Sequence, residues 1–281
     1  MSTSPAMIRE LPETKEAPST QVERRRHLDL GMLIGIAIAV IATVAGIAST
    51  GVSLKYFLQP TGALIVLGGT LGVTIITTPH AGLLSAARRV RELFRTSVLN
   101  REDLIDELVS YSRVARSKGL FAVEPLISQA SNKFLAESLL LAIDVRQRSE
   151  LQSALEDKVR LRERQGEVDA RILEVAGGFA PTIGVIGTVV GLIDVFRQFS
   201  TLSSVVNGVG TAFVSTIYGL VLANIVLLPA AQRIRARVAE AFETQELIME
   251  GVLCVFDGTH PAVIRQRLNC FLHQAGETHD S

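Results

Sequence analysis

The stretch from Ala180 to Pro229 constrains this chain more than any other, because two apolar runs meet there across one short polar loop. The first run holds Gly184, Gly187 and Gly191; the second holds Gly208, Gly210, Ala212, Ser215, Gly219 and Ala223. With its flanks, each run matches the roughly 20 residues a helix needs to cross a bilayer core. Small residues at helical spacing let backbones approach closely, which is how helices associate where lipid removes the hydrophobic drive. Hydroxyls (Thr182, Thr188, Ser215, Thr216) are sparse, and no Asp, Glu, Lys or Arg stands mid-run. The pattern describes a membrane-embedded, weakly polar wall.

The chain is 48% hydrophobic yet 20% charged, so its charge is segregated along the sequence, as in an integral membrane protein with a soluble part. A formal net charge of zero and no Lys/Arg-rich block argue against nucleic acid as a partner. Cys254 and Cys270 lack CxxC spacing and read as free thiols.

Taken in order, residues 1–27 read as a disordered cytoplasmic arm, with Pro5, Pro12 and Pro18 among Ser, Thr and Glu. Arg24, Arg25 and Arg26 precede an apolar run from Leu28 to Ala48, too long for a signal-peptide core and read as span one. Span two runs from about Phe57 to Thr78, with Arg88, Arg89, Arg91 and Arg95 after it. Spans three and four lie within 175–231, and Arg233, Arg235 and Arg237 follow. Basic residues thus cluster before span one, after span two and after span four, which puts both termini inside. The expected fold is all-α: a polytopic membrane protein with four transmembrane helices and a helical cytoplasmic domain. Its divisions are the arm, spans one and two (28–78), the cytoplasmic domain (79–174), spans three and four (175–231), and cytoplasmic C-terminal helices and tail (232–281).

Within the cytoplasmic domain, Asn100 is placed to cap a helix whose Leu104, Ile105, Leu108 and Val109 share one face. Lys118-Gly119 breaks that pattern and Pro125 opens the next segment. Lys133 to Arg171 reads as helical again, apolar first and then alternating in charge on a solvated face. A further helix runs from Gln232 to Phe256 and a last one from Pro261 to Leu272. No strand pattern stands out.

The chain carries no phosphate-binding GxxxxGK[ST], no dinucleotide fingerprint and no GxSxG elbow, so it reads as a non-enzyme without cofactor. His27, His80, His260, His273 and His279 form no HxxxH or HExxH pair, and no metal site is expected; His80 reads as part of a helix stop. Two readings of the membrane hydroxyls stay open. They bond back to their own helix carbonyls and aid packing, or they line a hydrated path for a cation. A path also needs an ionisable group at membrane depth. Asp29, Glu174 and Asp194 lie only near span ends, so the carboxylate would come from another chain.

Three signatures resemble the MotA/TolQ/ExbB proton-channel family over residues 28 to about 272. Ala180-Pro181-Thr182 through Gly184, Gly187-Thr188-Val189 and Gly191-Leu192 is similar to its "P-x-x-G-x-x-G-T-V-x-G-L" run. Ala212 to Gly219, then Ala223-Asn224 and Pro229, resembles "A-x-x-x-T-x-Y-G…A-N…P". Arg116 to Glu124 resembles the "R-x-x-G-x-x-x-x-E" element of the flagellar stator branch, which four spans also fit better than the three of ExbB and TolQ.

The resemblance implies a pentameric inner-membrane ring around a MotB-like single-span, peptidoglycan-binding dimer that supplies the ion-binding aspartate. It places Thr188, Ser215 and Thr216 on the ion pathway and Pro181 and Pro229 in conformational coupling. It assigns Arg116 and Glu124, with Arg113 and Lys118 beside them, to contact with the rotor protein FliG. Gly184, Gly187, Gly191, Gly219 and Ala223 would pack the helices. Sodium-type members tend to carry threonine at the position of Ser215 and proton-type members often alanine, so serine leaves H+ or Na+ open. The long arm departs from the family and keeps a motor outside the flagellum open. Alternatives are an ExbB/TolQ-like energiser of an outer-membrane or gliding system, and a non-conducting scaffold or small transporter.

Overall fold

Helices run on in this chain until something breaks them, and the breaks set the architecture. The computed structural model describes residues 26–27, 30–51, 53–93, 96–97, 100–197 and 202–277. The expected disordered arm therefore lies outside the described residues, apart from Arg26 and His27. Ten helices carry the described chain: α1 (Leu30–Ser49), α2 (Pro60–Thr77), α3 (His80–Leu93), α4 (Arg101–Lys118), α5 (Glu124–Ile127), α6 (Lys133–Asp144), α7 (Arg148–Arg197), α8 (Leu202–Val221), α9 (Leu228–Phe256) and α10 (Pro261–Glu277). The exception to helix is a two-residue antiparallel pair, with Arg26 opposite Ser97 and His27 opposite Thr96.

The structure sharpens one element boundary and changes another. The helical stretch from Lys133 to Arg171 is divided between two helices: Val145 turns to extended backbone (φ −91°, ψ 143°) between α6 and α7. The buried residues explain the break. Phe134, Leu135, Leu139 and Ala142 form the buried stripe of α6. Leu151, Leu155 and Val159, buried on α7, would fall about half a turn out of phase on a continuous helix. His80 is not a stop but the first residue of α3; extended Thr78 and Pro79 form the break before it.

The 50-residue α7 is the spine, about 75 Å long at 1.5 Å per residue. α8 passes into α9 through a π-helical segment, Leu222–Leu227, and this second long column packs along α7. Around the polar end, α4, α6, α9 and α10 bury Leu104, Ile105, Leu108, Leu135, Leu139, Leu247, Ile248, Ile264 and Leu268 together with Leu151 and Leu155 of α7. Each such side chain contributes about 1.5–3 kcal/mol. Asn100 caps α4 as expected, its side-chain oxygen accepting from the Glu102 N–H at 3.1 Å. At the waist a smaller cluster, Leu93, Ala170, Ala230, Ile234 and Val238, ties α3 to both columns.

Among the described residues three helices are long and apolar enough to cross a membrane: Pro60–Thr77, Arg148–Arg197 and Gly208–Phe256. The described part of α1 contributes a shorter apolar helix, Ile34–Ser49, whose Ile34, Ile38 and Ile41 are exposed.

Candidate functional site

Glycine geometry brings α7 and α8 into backbone contact. A Cβ placed on Gly184 would stand 2.9 Å from the Ser215 carbonyl oxygen and 3.1 Å from Thr216 Cα. On Gly219 it would stand 2.5 Å from the Ala180 carbonyl oxygen, and on Gly191 2.8 Å from Ala212 Cβ. On Gly187 it would stand 2.8 Å from Ser215 Cβ, and Ala223 is buried. Each approach excludes a side chain, which is why these positions carry none or only a methyl.

Into this seam project Thr188 and Thr216, their hydroxyl oxygens 2.6 Å apart. Thr188 Oγ1 also lies 3.2 Å from the Gly184 carbonyl of its own helix and 3.1 Å from the Ala212 carbonyl across the seam. Thr216 Oγ1 approaches the Gly184 carbonyl at 3.4 Å. Two hydroxyls hold two protons and four lone pairs. One proton joins the pair and the other goes to a carbonyl, so oxygen lone pairs remain uncommitted. Thr188 is 8% exposed while Thr216 is half-buried, giving the pair one accessible side. By contrast Thr182 is exposed and bonds back to the Phe179 carbonyl of its own helix at 2.8 Å.

Ser215 does not join this pair. It is 4% exposed and lies where α8 meets both α2 and α7: a Cβ added on Gly62 would stand 2.6 Å from its Oγ, and one added on Gly187 3.1 Å from it. The sequence grouped three hydroxyls; the structure brings two of them together and seats the third between Gly62 of α2 and Gly187 of α7.

Both prolines interrupt long helices. Pro181 lies inside α7 and leaves the Gly177 carbonyl without its i+4 donor. Pro229 follows the π segment, in which the Leu228 N–H reaches back to the Ala223 carbonyl. There Asn224 donates its side-chain amide to the Leu220 carbonyl at 2.9 Å. The π segment went unread in the sequence, although Asn224 five residues before a helical proline is its visible trace.

Two further residues went unread. Tyr218 O–H donates to the Phe57 carbonyl and accepts the Gln59 N–H at 3.0 Å, pinning α8 to the entry of α2. Asp169 of α7, 1% exposed, accepts from Ser85 Oγ and from Arg89 Nε at 3.2 Å on α3. Its partners lie some eighty positions upstream, a pairing that no local pattern encodes. The carboxylate of Glu174 is engaged bidentately by Arg235, with Nη2 donating at 2.7 Å, so it is committed to an ion pair. Arg237 donates to the Glu92 and Leu93 carbonyls and thereby caps the end of α3. Cys254 is buried, and burial raises its thiol pKa, with Glu250 adding and Arg267 opposing.

At the polar end, Arg113, Arg116 and Lys118 are exposed on the last turns of α4, and Glu124 is exposed at the start of α5. Gly119 at φ 87° makes the turn between them. None of the four forms an ion pair or side-chain hydrogen bond with a described residue.

Two family models match the chain: the MotA/TolQ/ExbB proton channel family over residues 126–247 and the motility protein A N-terminal segment over residues 33–119. Motility protein A of Bacillus subtilis is 30% identical over 246 residues, 87% of this chain and 91% of that protein. The chain belongs to the MotA/TolQ/ExbB proton channel family. Chemotaxis protein PomA of Vibrio alginolyticus is 28% identical over 87% of this chain and 94% of its own length. The flagellar MotAB stator complex from Bacillus subtilis superimposes with a TM-score of 0.80 at 29% identity, covering 89% of this chain and 98% of that one. As a MotA/TolQ/ExbB family member of the motility protein A type, the chain is an inner-membrane stator subunit rather than an enzyme.

Proposed function

We propose that this chain assembles as a ring around a MotB-type dimer and couples ion flow to torque on a cytoplasmic rotor. In this reading the ring is a pentamer, α1 supplies the fourth span, and both termini are cytoplasmic. The observation that carries it is the Thr188–Thr216 pair at 2.6 Å in a glycine seam free of ionisable side chains. Hydroxyl oxygens ligate a cation or relay a proton but carry no charge to hold one. A carboxylate from the partner completes the site, and its protonation or cation binding lowers the cost of facing an apolar wall. The family likeness and the pairing named in the Bacillus subtilis stator complex support such a partner.

Charge neutralisation on the partner then lets the ring step, and Pro181 and Pro229 pass the motion along the two columns. Arg116 and Glu124, with Arg113 and Lys118, meet the rotor protein FliG. The transported ion is H+ or Na+; Ser215, seated between Gly62 of α2 and Gly187 of α7 and outside the Thr188–Thr216 pair, is not a direct ligand in this arrangement.

The test is ion flux into vesicles holding this chain with and without its MotB-type partner. Flux only with the partner, lost when the partner's membrane carboxylate is replaced by its amide, is expected. Equal flux through the chain alone would overturn the reading.

A further inference from the structure

The chain leaves a cleft where α2 ends. α2 is about 27 Å long at 1.5 Å per residue, nearly the thickness of a bilayer's apolar layer, so Thr77 stands at headgroup level. Extended Thr78 and Pro79 then turn the chain into α3. Gly82 of α3 lies beside Ile172 of α7, Ser85 and Arg89 meet Asp169, and Leu93 packs on Ala170 next to the Arg237 cap. About 16 Å of α3 therefore covers barely one turn of α7, so α3 lies across the long columns rather than along them. Its outer face presents Leu84, Arg88 and Arg91, all exposed, the apolar and basic pairing of a helix lying in a membrane interface.

Between this turn and α7 lies a cavity of about 490 Å³. Part of its wall is apolar, from Val168, Ile172 and Val175 of α7, and next to Thr77 on its rim stands Ile76, 84% exposed. The rest is cationic. Arg164 and Arg171 line it, both exposed and without an ion pair to any described residue. Seven residues apart, they share one face of α7 about 10 Å from each other. The acids between them are engaged elsewhere, Glu167 by Arg235 and Asp169 by Arg89 and Ser85, so the cleft keeps its positive charge. Guanidinium groups bind phosphate oxygens bidentately, and basic pockets between spans at this depth take anionic lipid headgroups. We propose that this cleft binds an anionic phospholipid, with Arg164 and Arg171 on its phosphate and its acyl chains along Val175 and Ile76. The proposal rests on α2 crossing the membrane, which places lipid at the mouth of the cleft. The apolar wall distinguishes a lipid from a free phosphate, and a bound lipid ties the α2–α3 turn to α7.

The experiment uses the full-length protein, purified from membranes as the complex it forms there and stripped of lipid in detergent. Phosphatidylglycerol is the probe, phosphatidylcholine and inorganic phosphate are the controls, and native mass spectrometry counts the lipids held. Phosphatidylglycerol is expected to bind saturably, about tenfold or more tighter than phosphatidylcholine, and to resist displacement by phosphate. Replacing both residues, Arg164→Gln with Arg171→Gln, should weaken it about thirtyfold, and lysine at both positions should keep most of the binding. Arg160→Gln, which removes an exposed charge of α7 outside the cleft, should leave it unchanged. Equal binding of phosphatidylcholine, or displacement by phosphate, would overturn the lipid site. Wild-type binding by the double glutamine variant would overturn it too, and loss of subunits from that variant's complex would then assign the cleft to a contact between copies of this chain.

Discussion

Gly177 of α7 lies against Leu228 of α9: a Cβ on Gly177 would stand 2.9 Å from Leu228 Cδ2. Gly177 is the residue whose carbonyl Pro181 leaves without a donor, and Leu228 immediately precedes Pro229. The interruptions in the two long columns are therefore packed against each other, so a change in one column reaches the other. Pro181→Ala and Pro229→Ala each restore a helix bond whose loss costs roughly 3 kcal/mol. Both are expected to leave the melting temperature of the purified protein equal or higher while lowering motor torque at least tenfold. The double variant should be no worse than the poorer single one, since coupled sites are non-additive. Multiplied losses in torque would show that the prolines act separately.

Glycines in the α7–α8 seam and glycines facing outward should respond oppositely to the same methyl. Gly184→Ala and Gly219→Ala drive a Cβ into backbone atoms that cannot turn away, at a cost of about 1–3 kcal/mol each. Gly68 and Gly72 of α2 meet nothing within 4 Å. Alanine there should be neutral or stabilising by about 0.5–1 kcal/mol, through lower chain entropy in the unfolded state. Thermal unfolding of the four variants in detergent separates the two groups, and equal losses in all of them would remove the seam from the account.

Apolar runs and glycine spacing made the helical wall legible in the sequence, because membrane-spanning length and close packing are written locally. Asn100, Leu104 and Leu108 were likewise readable from cap and period. What escaped was whatever depends on facing. Ser215 and Thr216 are adjacent in sequence, yet about 100° of helix turn seats one between Gly62 and Gly187 and sends the other to Thr188. Asp169 escaped because Ser85 and Arg89 reach it only once α3 folds back on α7. The break at Val145 was written in the phase of the apolar stripe, which shifts by half a turn between α6 and α7.

Asp169 should be structural. Its carboxylate is buried and accepts from Ser85 and Arg89, and hydrogen bonds to charged groups are worth about 1.5–3 kcal/mol. Asp169→Ala removes the acceptor that Ser85 and Arg89 share and loosens α3 from α7, so a loss of about 1–3 kcal/mol is expected. Asp169→Asn should lose less, because the amide oxygen still accepts from Ser85. Hydrogen exchange across residues 80–93 should rise in the alanine variant, and unchanged exchange there would refute the anchoring role.

Glu246 gives a pH dependence of definite sign. Burial raises its pKa first, and the nearby carboxylates Glu163 and Glu243 raise it further. A carboxyl with a raised folded-state pKa holds its proton longer when folded, so its penalty to stability grows as pH rises through that pKa. Glu246→Gln should therefore increase the melting temperature most at the alkaline end of the pH range. The difference should shrink as pH falls through the carboxylate range and vanish below the unfolded-state pKa. A constant difference across pH would mean that the amide acts through packing.

Thr216 and Ser215 provide the sharpest test of the candidate path, since neighbouring hydroxyls have different surroundings. Thr216→Val keeps shape and volume but removes the oxygen that stands 2.6 Å from Thr188. Thr188 can still bond to the Gly184 and Ala212 carbonyls, so the seam stays satisfied and ring assembly should survive. Flux through the complex with its MotB-type partner, and with it torque, should fall at least a hundredfold. Thr216→Ser returns the hydroxyl and should recover most of both. Ser215→Ala removes a hydroxyl facing Gly62 of α2 and should change flux less than threefold. The reverse order, with flux lost in Ser215→Ala and kept in Thr216→Val, would move the path from the Thr188–Thr216 pair to the junction of α2, α7 and α8 around Ser215.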